Sequence, residues 1–441
     1  MNERQLQKVF NGKPGHNIAL TIAMLSFLVS YTRPQAVFPI LGVIRLPLAL
    51  SLLSAFCLPF VFFRTTTLQT RLMCIFLGVE AVRCFVGKKL FDDLVRNDYY
   101  AANTWVDLFL QFAGMVFPIV AFAASRRGLK KIQRYWFLAV SLLSIYILAH
   151  GGVGPKGFLG DENDAGIALL FLLPLPLVTM GELGSGKLGR LVAFGVTLLV
   201  LAALVSTFSR GAFVGLVCVI TVFIFGTSRK GIATVLLITL IGISTIFVPK
   251  SYWNEIGSIG EIRTGTAEQR REMWTVASRV WLDPRHILIG VGMENVKYYL
   301  KDYEFGSELG SRPSLGGRAV HSIYFQILPD LGLWGAFIIG LLTWKSYCSL
   351  SATRQIVKRL LTSNNLQPKL ETELGRLLGW TTALGASMVG LFSAGAFISI
   401  LYYPHLWLLF GLCAVVERYA KLLQSEVESG ILEAGEELSQ L

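Results

Sequence analysis

The residues of this 441-residue chain that could do chemistry fall in four short polar stretches. The first is Ser206-Thr207-Phe208-Ser209-Arg210-Gly211, wedged between two apolar blocks with almost no loop. An arginine at the centre of a spanning helix costs roughly 2.5–3.5 kcal/mol, and less near an interface. Arg210 therefore either snorkels to the headgroups or grips an anionic headgroup with its fork of donors, Gly211 letting the backbone approach closely. The second stretch runs from Ala267 through Glu268, Gln269, Arg270, Arg271, Glu272 and Met273 to Trp274, continues to Trp281 and stops near Asp283-Pro284. Helical spacing puts Arg270, Trp274, Ala277 and Trp281 on one face, which suits a helix lying at the membrane interface, its indoles at headgroup depth and its arginines on phosphates. The glycines of Ile289-Gly290-Val291-Gly292 then permit a tight turn.

The third stretch, His321-Ser322-Ile323-Tyr324-Phe325-Gln326-Ile327-Leu328-Pro329-Asp330-Leu331-Gly332, re-enters an apolar block. An imidazole takes a proton from a hydroxyl near neutral pH, so His321 is the base candidate, with Gln326 and Asp330 farther down the same helix. The fourth is Gly157-Phe158-Leu159-Gly160-Asp161-Glu162-Asn163-Asp164. Its carboxylates, Asp161 and Asp164 among them, could bind a cation, orient sugar hydroxyls or cap the following helix, a role best suited to Asn163 or Asp164. Glu80 and Arg83, three residues apart inside one apolar block, are expected to pair with each other.

The elements that must position these groups are membrane spans. Hydrophobic residues make up 53% of the chain and charged ones 15%, against about 25% charged in soluble domains, which rules out a soluble enzyme, a disordered scaffold and a collagen-like fibre. Twelve candidate spans lie near 17–32, 47–63, 72–86, 104–124, 135–150, 165–181, 189–207, 211–227, 231–248, 319–345, 376–397 and 403–420. The expected fold is thus an all-α integral membrane protein. Its parts are N-terminal transmembrane helices over 1–150, central ones with the Ser-Arg-Gly motif over 151–248, a large partly helical loop over 249–320, C-terminal transmembrane helices over 321–420, and an acidic tail over 421–441.

Basic residues concentrate in alternate connections, such as Arg126, Arg127, Lys130, Lys131 and Arg134, or Lys345, Arg354, Lys358, Arg359, Lys369 and Arg376. By the positive-inside rule these connections and both termini are cytoplasmic, the polar, basic start MNERQLQKVFNGKPGHN reading as uncleaved. The 249–320 loop and the four polar stretches then face outward. The net charge of +12 reflects this orientation, and no nucleic-acid partner is expected, since no basic stripe is interleaved with aromatics. The six cysteines show no C-x-x-C spacing, metal-ligand spacing is absent and no phosphate-binding glycine loop follows a strand, so neither a metal site nor nucleotide use is supported.

Four stretches in order, GFLGDENDAGIALLFLLPL (157 to 175), STFSRGAFVGL (206 to 216), RREMW followed by DPRHILIGVG (270 to 292) and HSIYFQILPDLGLWG (321 to 335), resemble the O-antigen ligase and O-antigen polymerase superfamily of bacterial envelope enzymes. The resemblance covers residues 150 to 345 well and is generic before them, although YTRPQAVFP looks like the start of some members. The family's His motif more commonly reads His-Asn, with Glu where this chain has Asp330. The resemblance implies a GT-C-like inner-membrane glycosyltransferase that moves a glycan from undecaprenyl diphosphate to an acceptor hydroxyl, in a glycan, lipid or protein, on the periplasmic face. It also implies no cofactor: neither a nucleotide sugar nor a metal. Arg210 and Arg270 correspond to the diphosphate-binding arginines and His321 to the general base; Arg271, Asp161, Asp164, Gln326 and Asp330 join them as substrate-binding candidates.

These roles agree with elementary chemistry. A diphosphate leaving group gains charge as the glycosidic bond breaks, so pre-placed cations stabilise the transition state more than the ground state. A base at His321 would give single displacement with inversion at the anomeric carbon. Within the family a ligase reading competes with that of a repeat-unit polymerase, and the sequence leans slightly to ligase. From another class, a secondary transporter also has about twelve spans, typically with related halves and broken helices; no similarity between halves is evident here.

Overall fold

The computed structural model describes residues 16–56, 67–85, 98–181, 186–226, 266–304, 314–362 and 366–439. Among these residues the regular structure is helical, with no β-strand. Backbone polar groups in hydrocarbon must be satisfied within the segment, which helices achieve. Six stretches are long and apolar enough to cross a membrane: Ala101–Phe122, Arg126–Ala149, Glu162–Gly181, Lys187–Ser206, Ile323–Leu361 and Pro368–Ala394. Asn17–Thr32, Leu46–Phe56 and Arg210–Ile224 are shorter apolar helices. The chain is therefore a multi-pass membrane protein. The expected span near 231–248 lies outside the described residues.

The helices that position the site are α1 (His16–Thr32), α2 (Leu46–Phe56), α3 (Leu68–Phe85), α4 (Asp98–Gln111), α5 (Arg126–Ala149), α6 (Glu162–Leu172), α7 (Pro174–Gly181), α8 (Lys187–Ser206), α9 (Arg210–Gly226), α10 (Thr266–Leu282), α11 (Ile323–Leu361), α12 (Pro368–Ala394) and α13 (Pro404–Ser439). A π-turn over Phe112–Val116 carries α4 on into Phe117–Phe122. The expected boundary of an acidic tail at 421 falls inside α13, which is continuous.

Aromatic side chains build the interior. Trp136 of α5 packs on Phe27 of α1 at 5.6 Å and on Phe171 of α6 at 5.0 Å between ring centroids. The indole of Trp136 also donates to the Leu172 carbonyl at 2.8 Å. That bond has a cause in the sequence: Pro176 has no N–H to give to Leu172 four residues earlier, and a buried carbonyl needs a donor.

The stretch expected as one continuous span near 319–345 is broken. Pro329 lies inside α11, and Gly332 takes φ 67°, ψ −166°. Such a break frees the carbonyls of Pro329 and Asp330 and the amides of Leu333 and Trp334, which would otherwise bond one another. The 287–292 strip, between α10 and α11, satisfies all four. Val291 and Gly292 donate to the Pro329 and Asp330 carbonyls at 2.7 and 2.8 Å, while Leu333 and Trp334 donate to the Ile287 and Leu288 carbonyls at 2.9 and 3.0 Å. The irregular backbone here persists because its polar groups are paired within the protein.

Candidate functional site

The turn between α8 and α9 is three residues long, and side chains fix it. Ser209 caps α9, its Oγ accepting from the Ala212 N–H at 3.3 Å while donating to Asn163 Oδ1 at 2.9 Å. Phe208 before it takes φ 49°. Arg210 is thus the first residue of α9, and Ser209 ties this helix end to the start of α6. At Gly211 a Cβ would stand 3.2 Å from Phe397 Cβ and 3.3 Å from Ile398 Cδ1. Its missing side chain admits the turn between α12 and α13.

Helix α10 corrects another expectation. Its Arg270–Trp274–Ala277–Trp281 face does not lie on lipid but packs against protein. Ala277 is fully buried; the Trp274 indole donates to the Val320 carbonyl at 3.0 Å, and its ring stacks on Phe325 at 4.9 Å. Trp281 donates to the Ile287 carbonyl at 3.2 Å. Val320 precedes His321 and Phe325 is in the first turn of α11, so Trp274 brings the preceding turn of α10, with Arg270, beside the imidazole.

His321 itself adopts φ 53°, a conformation a non-glycine residue holds only when its surroundings impose it. The surroundings do so here. Ser322 is extended and leads into α11, the Ile323 N–H donates to the Gly395 carbonyl at 2.8 Å, and the Tyr324 hydroxyl donates to the Phe392 carbonyl at 2.9 Å. The α12–α13 turn therefore meets both the Arg210 side and the His321 side.

Charge links the four parts. Burial first and the positive charge of Arg210 second hold the Arg270 guanidinium below its ordinary pKa. The His321 imidazole is also held below its usual value, by burial and then by Arg270, with Asp161 pulling the other way. Arg210, Arg270, His321 and Asp161, contributed by α9, α10, the approach to α11 and the cap of α6, thus form one electrostatic cluster.

The remaining candidates are placed differently. Asp161, rather than Asn163 or Asp164, caps α6, accepting from the Asp164 N–H at 2.7 Å. The Asp164 carboxylate accepts from the Tyr403 hydroxyl at 2.9 Å. Arg271 is exposed on the far side of α10 from its buried face. Gln326 is buried, and its Oε1 has no hydrogen-bond partner among the described residues. Asp330 is fully buried and turned inward. Its carboxylate accepts from the Val296 and Glu294 amides at 2.9 and 3.1 Å and from the Tyr402 hydroxyl at 3.1 Å.

Two arginines make contacts that sequence reasoning missed. Arg83 pairs with Glu80 at 3.6 Å as expected, but it also donates to backbone carbonyls far along the chain, Gly290 at 2.7 Å and Asp330 at 3.3 Å. Arg33 donates to the Lys156 carbonyl at 3.0 Å and sits 5.5 Å above the Phe158 ring, bracing the loop that leads to Asp161. Its only sequence signal is its place in YTRPQAVFP.

Among the described residues no group of three or more His, Cys, Asp or Glu side chains could hold a metal ion. No curated protein matches the chain. A family model does: the match covers residues 195–340, from the middle of α8 past the break in α11, and includes Arg210, Arg270 and His321 but not Asp161. Over that stretch, about a third of its length, the chain is similar to the O-antigen ligase family.

Proposed function

We propose that the protein is a membrane glycosyltransferase of the O-antigen ligase type. It moves a glycan from undecaprenyl diphosphate to an acceptor hydroxyl on the periplasmic face of the bacterial inner membrane. The observation that carries this reading is how the chain ties these parts together: Trp274 fastens the helix of Arg270 to Val320 beside His321, and Ser209 fastens the start of α9, with Arg210, to Asn163 beside Asp161, within and next to the matched stretch. The positive charges of Arg210 and Arg270 oppose each other, and an anion bound between them would relieve that repulsion. A diphosphate meets both, and hydrogen bonds to charged groups contribute about 1.5–3 kcal/mol each.

In this reading Arg210 and Arg270 bind the diphosphate and stabilise the charge it gains as the anomeric C–O bond breaks. His321, whose pKa burial and Arg270 hold below its usual value, takes the proton of the attacking hydroxyl. The new glycosidic bond forms as the diphosphate leaves from the opposite face, with inversion and no covalent glycosyl-enzyme. Asp161 stands where it can stabilise the imidazolium. Asp164, held by Tyr403 at the start of α6 beside Asp161, is assigned to orienting acceptor or donor hydroxyls, whereas the inward carboxylate of Asp330 makes it a brace rather than a substrate ligand.

The test is a reaction of the purified full-length protein with a defined undecaprenyl-diphosphate oligosaccharide and separate acceptors: a lipid A core, a protein hydroxyl, and a second lipid-linked repeat unit. Transfer to either of the first two with inverted stereochemistry, abolished by His321→Ala, is the expected result. Transfer only to the third would make the enzyme a polymerase. Uptake in proteoliposomes without transfer would favour a transporter and sink the reading.

A further inference from the structure

The break in α11 is where the external segment and the helical bundle exchange backbone hydrogen bonds, and a charged side chain with no part in the mechanism above reaches it. Arg83, on α3, donates from Nη2 to the Gly290 carbonyl at 2.7 Å and from Nη1 to the Asp330 carbonyl at 3.3 Å. These carbonyls belong to the two strands of the crossing. Nη1 also lies 3.6 Å from Glu80 Oε2, the two side chains being 12% and 0% exposed. The planar guanidinium can serve two carbonyls and a carboxylate at once because its donors diverge in one plane.

Both reactive ends hang from this crossing. On one strand, Ile287 accepts from Trp281 at the end of α10, so the strip positions the helix that carries Arg270. On the other, Asp330 ends the short first half of α11, which runs back to Ile323 and His321. The Asp330 carboxylate reaches across to the Glu294 and Val296 amides and to Tyr402, adjacent to the Tyr403 that holds Asp164. A shift of the strip against the broken helix would therefore move Arg270 relative to His321 without touching either.

We infer that Arg83 is a positioning residue for glycan transfer: by pinning the Gly290 and Asp330 carbonyls it fixes the distance between the Arg270 guanidinium and the His321 imidazole. This rests on the roles given to those two residues above. Burying Arg83 and Glu80 carries a desolvation cost, and neutral replacement of both members of such a pair is often harmless to folding. Retention of the pair at this crossing is explained by the two carbonyls it holds.

The experiment uses the full-length protein in detergent with undecaprenyl-diphosphate oligosaccharide as donor. It compares wild type, Arg83→Lys, the double variant Glu80→Gln/Arg83→Met, and His321→Ala. In the double variant kcat should fall about 10- to 100-fold, the scale set by a misplacement of roughly 1 Å, with the donor KM nearly unchanged. The acidic midpoint of the rate should rise as the Arg270 charge retreats from His321. Arg83→Lys, which keeps the charge but loses the fork, should recover part of the rate. Hydrogen exchange gives a readout independent of the donor: the amides of Val291, Gly292, Leu333 and Trp334 should exchange faster while those of α12 do not.

Wild-type kcat, acidic midpoint and exchange in the double variant, with His321→Ala inactive, would overturn the inference and leave the base assignment standing. If the double variant does not fold, Arg83→Lys decides: a reduced kcat with a raised midpoint supports the inference, and wild-type values for both overturn it. Full activity in His321→Ala removes the base reading itself, a distinguishable failure.

Discussion

The Trp274 ring lies flat on Phe325, 4.9 Å between centroids and 6° from coplanar, and its indole N–H is bonded to the carbonyl of Val320, the residue before His321. One side chain thus fastens the helix of Arg270 to the approach of α11. An aromatic pair of this kind contributes about 0.5–1.5 kcal/mol beyond its buried area, enough to hold an orientation. Trp274→Ala should lower kcat/KM for transfer by about 10- to 100-fold, whereas Trp274→Phe, which keeps the stack and loses the hydrogen bond, should lose less. Equal, wild-type rates for both variants would mean that α10 is held by other contacts.

The pH dependence of transfer follows from the charges around His321. Its imidazole is held below the usual 6.5 by burial and Arg270, so the neutral base persists at pH 6.5, and the rate falls only as pH drops through the lowered value. Removing a neighbouring positive charge favours the imidazolium: Arg270→Gln should move the acidic midpoint up. Removing Asp161, which stabilises the imidazolium, should move it down in Asp161→Asn. The two shifts have opposite signs whatever the loss in maximal rate. Rate profiles of kcat/KM from pH 5 to 8 check both, and shifts of the same sign would separate His321 from these neighbours.

Six long apolar helices and three shorter ones fall on expected spans, readable because apolar blocks bounded by charge have few alternatives in a bilayer. Arg210, Arg270, His321 and Asp161 stood out by type, each in a short polar stretch of an otherwise apolar chain. Their contacts were not readable. Arg83 meets Gly290 across 207 positions, and no local pattern encodes that reach. Asp330 looks like any polar residue on a helix, and only the break beside it turns its carboxylate onto the Glu294 and Val296 amides. The break was hidden for a related reason: Pro329 and Gly332 are each tolerated in spanning helices, and what decides is the 287–292 strip that takes over the freed groups. The left-handed backbone of His321 leaves no trace in the sequence, since tertiary contacts impose it.

Gly332 offers a test of that crossing. Its φ of 67° disfavours any side chain, and a Cβ there would lie 2.4 Å from the Leu288 carbonyl carbon, which is backbone and cannot swing aside. Gly332→Ala should cost about 1–3 kcal/mol, lower the apparent melting temperature in detergent by several degrees and depress transfer in the folded fraction. Gly340, in the same helix, is the control, because a Cβ there would meet nothing within 4 Å. Gly340→Ala should leave both values unchanged or raise stability slightly. Indistinguishable melting curves for the two variants would argue that the crossing is not rigid.

Arg210 permits the sharpest distinction between binding and anchoring. Its backbone has little room to adjust, with Ser209 bonded to Asn163 and Ala212 and Gly211 closed against Phe397 and Ile398. Arg210→Lys keeps the positive charge at the start of α9 but replaces a planar fork by a single ammonium. If the side chain only snorkels, a lysine serves equally and transfer is unaffected. If it holds the leaving diphosphate through paired hydrogen bonds, the loss falls on the transition state, and kcat should drop about 10²- to 10³-fold, as for removal of one oriented donor to a developing oxyanion. Combining Arg210→Lys with Arg270→Lys should cost less than the product of the single losses, because both guanidinium groups act on one diphosphate. Single-turnover transfer from the lipid-linked donor measures all three rates, and a lysine variant at wild-type speed reduces Arg210 to an anchor.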